Sequence, residues 1–289
     1  SSDLLDLEAP GLGAQLLPPG DRPAFGVVDW LAEDLVASPV AEAMLVEPEL
    51  VARSPLVEDG YLYVTPATGT RSMQQPGGFI AKLARAYLES DRGEGEGFAA
   101  RVRRLLQRLE QALEPDVVLI DSRAGLHETA AAAILHLDAD VLLFATDQPT
   151  VWEGYRYLLA QLAQMAHIVP ASGDDDWRLR LKMVYAKAAK TKVALESFRS
   201  KAYSLWLEQL YDEQRPEDGP DVFSFAETDD AAPHDPLVIL QNSVFEQFNP
   251  LEDLNEAAEA AISSTFGPFM AALGERVLGD DAPGASDGG

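Results

Sequence analysis

The chain contains no cysteine, which excludes disulfide bonds and thiolate metal sites. It also lacks any apolar run long enough to span a bilayer, and no segment has the pattern of a signal peptide. These absences predict a cytoplasmic protein without integral membrane insertion.

Positive charge is scarce. The chain has 22 lysines and arginines and 48 aspartates and glutamates, which gives a formal charge of -26. This balance argues against tight nonspecific binding of nucleic acid by the whole chain. One basic stretch stands out, and it consists of Arg178, Arg180, Lys182, Lys187, Lys190, Lys192, Arg199 and Lys201. A solvated helix face is the simpler interpretation of this stretch, and contact with nucleic acid or a protein partner is the alternative.

Two common kinds of active site are also missing. The four histidines, His127, His136, His167 and His234, have no metal-ligand spacing. No serine lies in a G-x-S-x-G turn, so the sequence gives no basis for a serine hydrolase.

Length and periodicity predict one large domain over residues 1–278 and a disordered tail over 279–289. The pattern predicts helices near 25–37, 78–90, 98–113, 128–137, 150–166, 189–212 and 251–278, and strands near 61–66, 117–120, 141–145, 181–185, 221–225 and 236–240. In the helix at 98–113, Arg101, Arg104 and Arg108 are expected to form the solvated face.

The run Val117–Ile120 is continuously apolar, as is typical of a strand inside a parallel sheet covered by helices. A helix and the second apolar run at 141–145 follow it, which indicates a strand-helix-strand unit. The predicted fold class is therefore α/β, with a doubly wound, mostly parallel sheet flanked by helices.

Two segments end an apolar run with an acid and then reach a glycine: Asp6 to Gly11, and Asp121 to Gly125. In a doubly wound sheet such acids can meet at the carboxyl ends of the strands. Mg²⁺ binds proteins through one or two carboxylates, and a glycine lets backbone amides approach a phosphate. For each segment alone, a capping or turn acid is the competing interpretation.

The segment DLEAPGL at 6–12 resembles the one after the second strand in MinD/ParA-type ATPases, which have a deviant Walker A loop. It resembles in particular a bacterial branch in which a KGGVGR-type phosphate loop precedes such a segment. VLIDSRAGL at 118–126 is similar to the Walker B and switch II segment of that branch, and residues 138–149 are similar to its next strand and turn. The resemblance covers about residues 3–166.

The resemblance implies a P-loop NTPase-like fold with ATP and Mg²⁺ as cofactors. It assigns Asp6 to the hydrolytic water and magnesium shell, Asp121 to magnesium, and Gly11, Ser122 and Gly125 to nucleotide binding. It also implies a slowly hydrolysing switch that forms a homodimer with nucleotide and signals to an unidentified protein partner.

Three departures limit this expectation. Leu4 stands where the family has the first acid of its D-x-D motif, and residues 182–187 contain no asparagine to read adenine. No G-x-x-x-x-G-K-[ST] or KGG-type loop occurs in the 289 residues. We therefore expect an N-terminally truncated ATPase that is inactive as this chain alone. The alternative is a noncatalytic protein-interaction module that keeps the fold and has lost nucleotide binding.

Overall fold

The computed structural model describes Leu7 and residues 11–46, 49–88, 97–122, 134–166, 176–213 and 222–278. The chain divides into two compact units. The first unit comprises Ser1–Leu137 with Asn249–Leu254, and the second comprises Asp138–Phe248 with Asn255–Gly289. The predicted tail at 279–289 and most of the predicted helix at 128–137 lie outside the described residues.

Helices dominate the described part of the first unit. They are α1 (Leu12–Leu16), α2 (Val27–Asp34), α3 (Pro39–Met44), α4 (Thr70–Gln74), α5 (Phe79–Ala86) and α6 (Phe98–Leu113). Strands β1 (Ala52–Arg53) and β2 (Tyr63–Val64) pair in antiparallel fashion. The helix predicted over 98–113 is confirmed at both ends, and β2 lies within the strand predicted over 61–66.

The core of the first unit forms between α2 and α6. Trp30 and Leu31 of α2 pack in one buried cluster with Val102 and Leu105 of α6. Together with Val27 in α2 and Leu109 in α6, these side chains recur at intervals of three or four residues, so each helix turns one apolar stripe towards the other. Burying this stripe supplies most of the stability that such helices have in water.

Two glycines allow backbone segments to cross closely beside this core. A Cβ atom on Gly26 would lie 2.5 Å from the carbonyl oxygen of Ala67, and one on Gly69 would lie 2.4 Å from that of Ala24. Because these neighbours are backbone atoms, they cannot move aside as a flexible side chain can. Only glycine fits at the two crossings.

The expectation that Arg101 is solvated is wrong, because its side chain is fully buried. Its Nε donates to Asp34 Oδ2 at 3.2 Å, and its Nη1 donates to the carbonyls of Ala86 and Leu88. Its Nη2 donates to the carbonyl of Leu31. A charge can be buried here because an anion and three carbonyls surround it.

The run Val117–Ile120 was predicted to be a buried sheet strand, and this prediction is wrong. Val117, Val118 and Leu119 are 43%, 38% and 56% exposed, and only Ile120 packs against the core of the first unit. Among the described residues, the run takes part in a sheet bridge only at Ile120. Apolar composition favours burial, but a strand also needs neighbouring strands with free backbone groups.

The second unit contains a three-stranded parallel sheet in the order β3 (Val141–Ala145), β4 (Leu181–Ala188) and β5 (Leu237–Leu240). Helix α7 (Pro149–Ala166) connects β3 to β4, and α8 (Lys192–Gln209) follows β4. These elements confirm the predictions at 141–145, 150–166, 181–185, 189–212 and 236–240, with shifts of a few residues at the ends. Residues 222–225 form no strand, so that prediction is wrong.

Helices cover both faces of this sheet. Tyr185 of β4 stacks on Phe198 of α8 with ring centroids 4.1 Å apart. Phe144 of β3 is paired in register with Val184, so it points to the face opposite Tyr185. On that second face the ring centroid of Phe144 lies 6.2 Å from the ring centroid of Phe269, which belongs to the last helix. The predicted α/β class, with a parallel sheet flanked by helices, is confirmed at this level.

The helix that carries Phe269 completes the second unit. After α9 (Pro250–Asp253), which belongs to the first unit, α10 spans Glu256–Leu278 and packs against β5. Within the described ranges, no helix combines the length and apolarity that crossing a membrane requires.

Replacing Arg101 by glutamine should destabilise the first unit by about 3–5 kcal/mol, because the change leaves three carbonyls without their buried donor and leaves Asp34 with only the partly exposed Arg104 as a partner. Arg108→Gln on the same helix is the matched control, since Arg108 and its partner Glu42 are 47% and 60% exposed. The control substitution should lower the free energy of unfolding by less than about 1 kcal/mol. Urea unfolding of both variants measures the difference, and equal costs would contradict the buried role of Arg101.

Candidate functional site

The structure describes three of the five residues that the sequence assigns to a nucleotide site. Gly11 is exposed and precedes α1, a helix of five residues. Asp121 and Ser122 are exposed and directly follow Ile120. Asp6 and Gly125 lie outside the described residues, so the predicted convergence of Asp6 with Asp121 stays a prediction.

The carboxyl ends of β3, β4 and β5 meet at one edge of the second unit, where ligands bind in many open α/β sheets. Asp147 lies in the turn after β3. It accepts hydrogen bonds from Trp152 Nε1 at 2.9 Å and from Lys201 Nζ at 2.7 Å. Burial acts to raise the pKa of Asp147, but the bonds from Lys201 and Trp152 outweigh it and lower that pKa. Asp147 is therefore an ionised group that fixes the start of α7 against α8.

A cavity of about 340 Å³ opens between α7 and α8 in the second unit. Its lining residues are Trp152, Arg156, Ser200, Lys201, Ser204, Leu205 and Glu208. Arg156 and Glu208 form an ion pair of 3.2 Å, and Lys201 forms an ion pair with Asp147. The charged groups of this cavity are thus matched within the unit, which leaves no excess charge to select an ionic ligand.

The basic stretch at 178–201 is largely used inside the second unit rather than forming one solvated face. Its internal contacts are Arg178 with Asp176 and Asp212, Arg180 with Asp138, Arg199 with Asp235, and Lys201 with Asp147. Lys182 is buried, and its Nζ donates to the carbonyl of Ala232 at 2.8 Å. Most of the charge that suggested an acidic partner is therefore neutralised locally.

Three lysines of the stretch remain at the surface near the carboxyl end of β4. Lys187 and Lys190 are exposed, and Lys192 makes only a 3.5 Å contact with Glu196 in which both side chains are largely exposed. Lys187 also has a left-handed backbone, with φ of 56°. Binding of nucleic acid through these residues stays a prediction.

The amino ends of β4 and β5 hold a buried polar cluster that the sequence did not reveal. His234 is fully buried, and the Tyr211 hydroxyl donates to its Nδ1 while its Nε2 donates to the carbonyl of Glu227. Asp235 pairs with Arg199 at 2.5 Å. Because this cluster lies at the end of the sheet opposite the carboxyl edge, its role is to hold the loop before β5.

Burial shifts the titration of the whole cluster. It lowers the pKa of His234 and of Lys182, and it raises the pKa of Asp235. Each shift disfavours the charged form, as expected for groups removed from water. A neutral His234 also matches its contacts, since it has one donor for Glu227 and one acceptor for Tyr211.

Metal ligation is the remaining chemical possibility for these residues. In the ranges that the structure describes, no three histidines, aspartates or glutamates come together as a metal site. A hydrated Mg²⁺ needs only one or two carboxylates. The exposed carboxylate of Asp121 remains compatible with such an ion.

Stability should fall as the pH drops below about 6.5, because the pKa of His234 is lower in the folded than in the unfolded chain. The unfolded chain then binds more protons, which removes stability at up to about 1.4 kcal/mol per pH unit until the folded pKa is reached. Urea unfolding between about pH 7.5 and 5.5 measures this slope. His234→Gln should flatten it, and an unchanged slope in that variant would refute the assignment.

Comparisons with known protein families, with curated proteins and with solved structures found no match for this chain. Its function is therefore inferred from its own residues and their geometry.

Proposed function

We propose that the chain belongs to a nucleotide-dependent switch of the MinD/ParA type, which binds Mg-ATP and hydrolyses it slowly. The proposal is carried by the order of its segments. An acid-to-glycine segment at 6–11 comes first, a second follows at 121–125, and a parallel strand with a Pro-containing turn comes next at 141–149. Each feature alone is common, but the combination in this order resembles that family.

The architecture of the second unit supports this proposal. A doubly wound sheet has parallel strands with helices on both faces, and β3, β4, α8 and α10 have this arrangement. Open sheets of this kind bind ligands at the carboxyl ends of their strands. We extend the proposal to a P-loop NTPase-like fold.

The proposed magnesium ligand is Asp121, with Asp6 as a second acid that orients the attacking water. The Asp121 carboxylate lies at the surface, where a hydrated ion can reach it. Magnesium would supply charge neutralisation for the terminal phosphates of ATP. Gly11, Ser122 and Gly125 would contact the nucleotide through their backbone or hydroxyl groups.

The proposed output is a signal to a protein partner rather than rapid turnover. Segments near Gly11 and Gly125 would change conformation when the terminal phosphate leaves. The nucleotide-bound form would be a homodimer, as the resemblance implies, and its place of action would be the cytoplasm.

The second candidate function is a noncatalytic protein-interaction module with the same fold. One observation favours it: Val117–Leu119 is exposed, whereas the family places a buried strand before its magnesium ligand. Leu4, which stands where the family has the first acid of its D-x-D motif, points the same way. Such a module would bind its partner whether or not ATP is present.

The gene sequence upstream of the codon for Ser1 distinguishes the two functions. A reading frame that encodes a KGGVGR-type loop supports the switch, because that loop supplies the lysines that bind the phosphates. A start codon at this position favours the interaction module, because the protein then lacks those lysines.

Asp121→Ala tests the magnesium assignment in a polypeptide that carries the phosphate loop. ATP turnover should fall by about tenfold or more, because the metal is no longer held beside the phosphates. Asp116→Ala is the matched control, since Asp116 is also exposed and lies before the apolar run. Thermal unfolding confirms that both variants fold, and equal turnover by Asp121→Ala and the unaltered protein would refute the switch.

A further inference from the structure

Helix α5 is apolar on two opposite faces, and only one of these faces is buried. Phe79, Leu83 and Tyr87 are partly buried against the core of the first unit, and Ala86 is fully buried in it. These four residues recur at helical spacing and hold α5 against α2. The buried face explains how α5 is fixed, but it does not explain the composition of the other face.

The other face, called here the outer face of α5, consists of Ile80, Ala81, Ala84, Arg85 and Leu88. All five residues are exposed. Ile80 is 78% exposed, and Leu88, in the turn after the helix, is 54% exposed. The outward side of a surface helix normally carries charged and polar residues, whereas a helix that is apolar all round is normally covered all round. Four of the five residues here are apolar, so the outer face has the composition of a covered surface.

The outer face of α5 has a shape that accommodates another helix. Ala81 and Ala84 lie between Ile80 and Leu88, so two small side chains are flanked by two large ones. Small side chains at a contact allow the axes of two helices to approach to about 8 Å, the lower end of the usual range. From Ile80 to Leu88 the face spans about two turns, or roughly 12 Å.

The segment that contains α5 carries no negative charge. From Tyr61 to Leu88 the chain has no aspartate or glutamate, although these residues number 48 among the 289. This is the longest run without an acid in the sequence. The same run contains three cations, which are Arg71, Lys82 and Arg85.

The cation on the outer face is available to a partner. Lys82 pairs with the buried Asp29 at 2.7 Å, and the guanidinium of Arg71 lies 4.3 Å from the centre of the Phe25 ring. Arg85 is exposed, and it forms no ion pair with any residue that the structure describes. An arginine in this state can bind a carboxylate through two parallel hydrogen bonds.

The neighbouring acids do not cancel this local positive charge. On α2, Asp29 and Asp34 are buried and paired with Lys82 and Arg101, so Glu33 is the one acid of that helix near the surface. The charge of the rest of the chain is largely screened beyond about 8 Å at physiological ionic strength.

The size of the positive region decides which acidic partner fits it. A helix is about 10 Å wide, so it can contact the outer face alone. An anionic membrane is an extended surface, and it would also face the acidic remainder of the chain. The charge pattern therefore favours a helix over a membrane.

We propose that the outer face of α5 binds an amphipathic helix of a partner protein, with an apolar stripe about two turns long and carboxylates beside it. The stripe packs over Ala81 and Ala84 between Ile80 and Leu88, and a carboxylate pairs with Arg85. This surface rests on the protein partner of the proposed function but includes no residue of the proposed nucleotide site. Its binding is measured without ATP, so its failure and the failure of the ATP turnover test are distinguishable.

Two synthetic helical peptides test the surface on the full chain. Each has about 18 residues with leucines at intervals of three or four, and the positions beside the leucines are glutamate in one peptide and lysine in the other. Fluorescence anisotropy should show that the glutamate peptide binds at least about tenfold more tightly than the lysine peptide. Equal affinities, or no binding of the glutamate peptide at up to about 1 mM, would overturn the proposal.

Ile80→Glu places a carboxylate within the apolar stripe, and Ala84→Trp blocks the close approach of the partner helix. Each should raise the dissociation constant of the glutamate peptide by about tenfold or more. Val193→Glu is the matched control, because Val193 is 76% exposed on α8 and the change alters the net charge equally. Circular dichroism verifies that the variants fold. Unchanged binding by both outer-face variants would place the interface elsewhere.

Arg85→Glu separates recognition of charge from apolar packing. It should weaken binding of the glutamate peptide and strengthen binding of the lysine peptide, whereas a local loss of structure would weaken both. Arg108→Glu on α6 makes the same change of charge at a side chain that is 47% exposed, and it should alter neither affinity. Equal weakening of both peptides by Arg85→Glu would refute the pairing with a carboxylate.

Two other occupants of the outer face are outcomes that contradict the proposal. Vesicles of phosphatidylcholine with about 30% phosphatidylserine would identify a lipid surface if they bind the chain more tightly than the peptide does and Ile80→Glu abolishes their binding. Sedimentation equilibrium would identify a second copy of the chain if it shows a dimer that Ile80→Glu dissociates.

Discussion

The second unit depends on the parallel pairing of β4 with strands on both of its sides. A strand in that position has no solvated face, so it needs an apolar sequence and a helix layer above and below. The stacking of Tyr185 on Phe198 and the contact of Phe144 with Phe269 supply those two layers. The order of the strands then brings three loops to one edge of the second unit.

Sequence patterns predicted the elements whose neighbours lie close along the chain. The spacing of apolar residues located α6 and α7, and the run at 181–185 located β4. The run at 117–120 is as apolar as β3 but has different surroundings, and composition alone does not report which strands are available for pairing. Arg101 was mistaken for a solvated residue, although it lies four residues before Leu105 and therefore on the buried stripe of α6.

The candidate site was predictable only in part, for a related reason. Chain order and residue type single out Asp6 and Asp121, but whether they meet depends on contacts between distant segments. The buried cluster around His234 gave no sequence signal, because its partners come from three separate segments. The basic stretch was conspicuous in the sequence for its charge, yet most of that charge is matched by acids of the same unit.

The Tyr155 hydroxyl has a consequence for any strand that approaches β3. An incoming amide must share or displace a hydrogen bond that the Phe144 carbonyl already makes. Pairing of a further strand at that atom would therefore exchange one hydrogen bond for another, and the net gain in free energy would be smaller than the number of new bonds suggests. The tyrosine thereby satisfies one backbone acceptor that a strand at the margin of a sheet would otherwise leave to water.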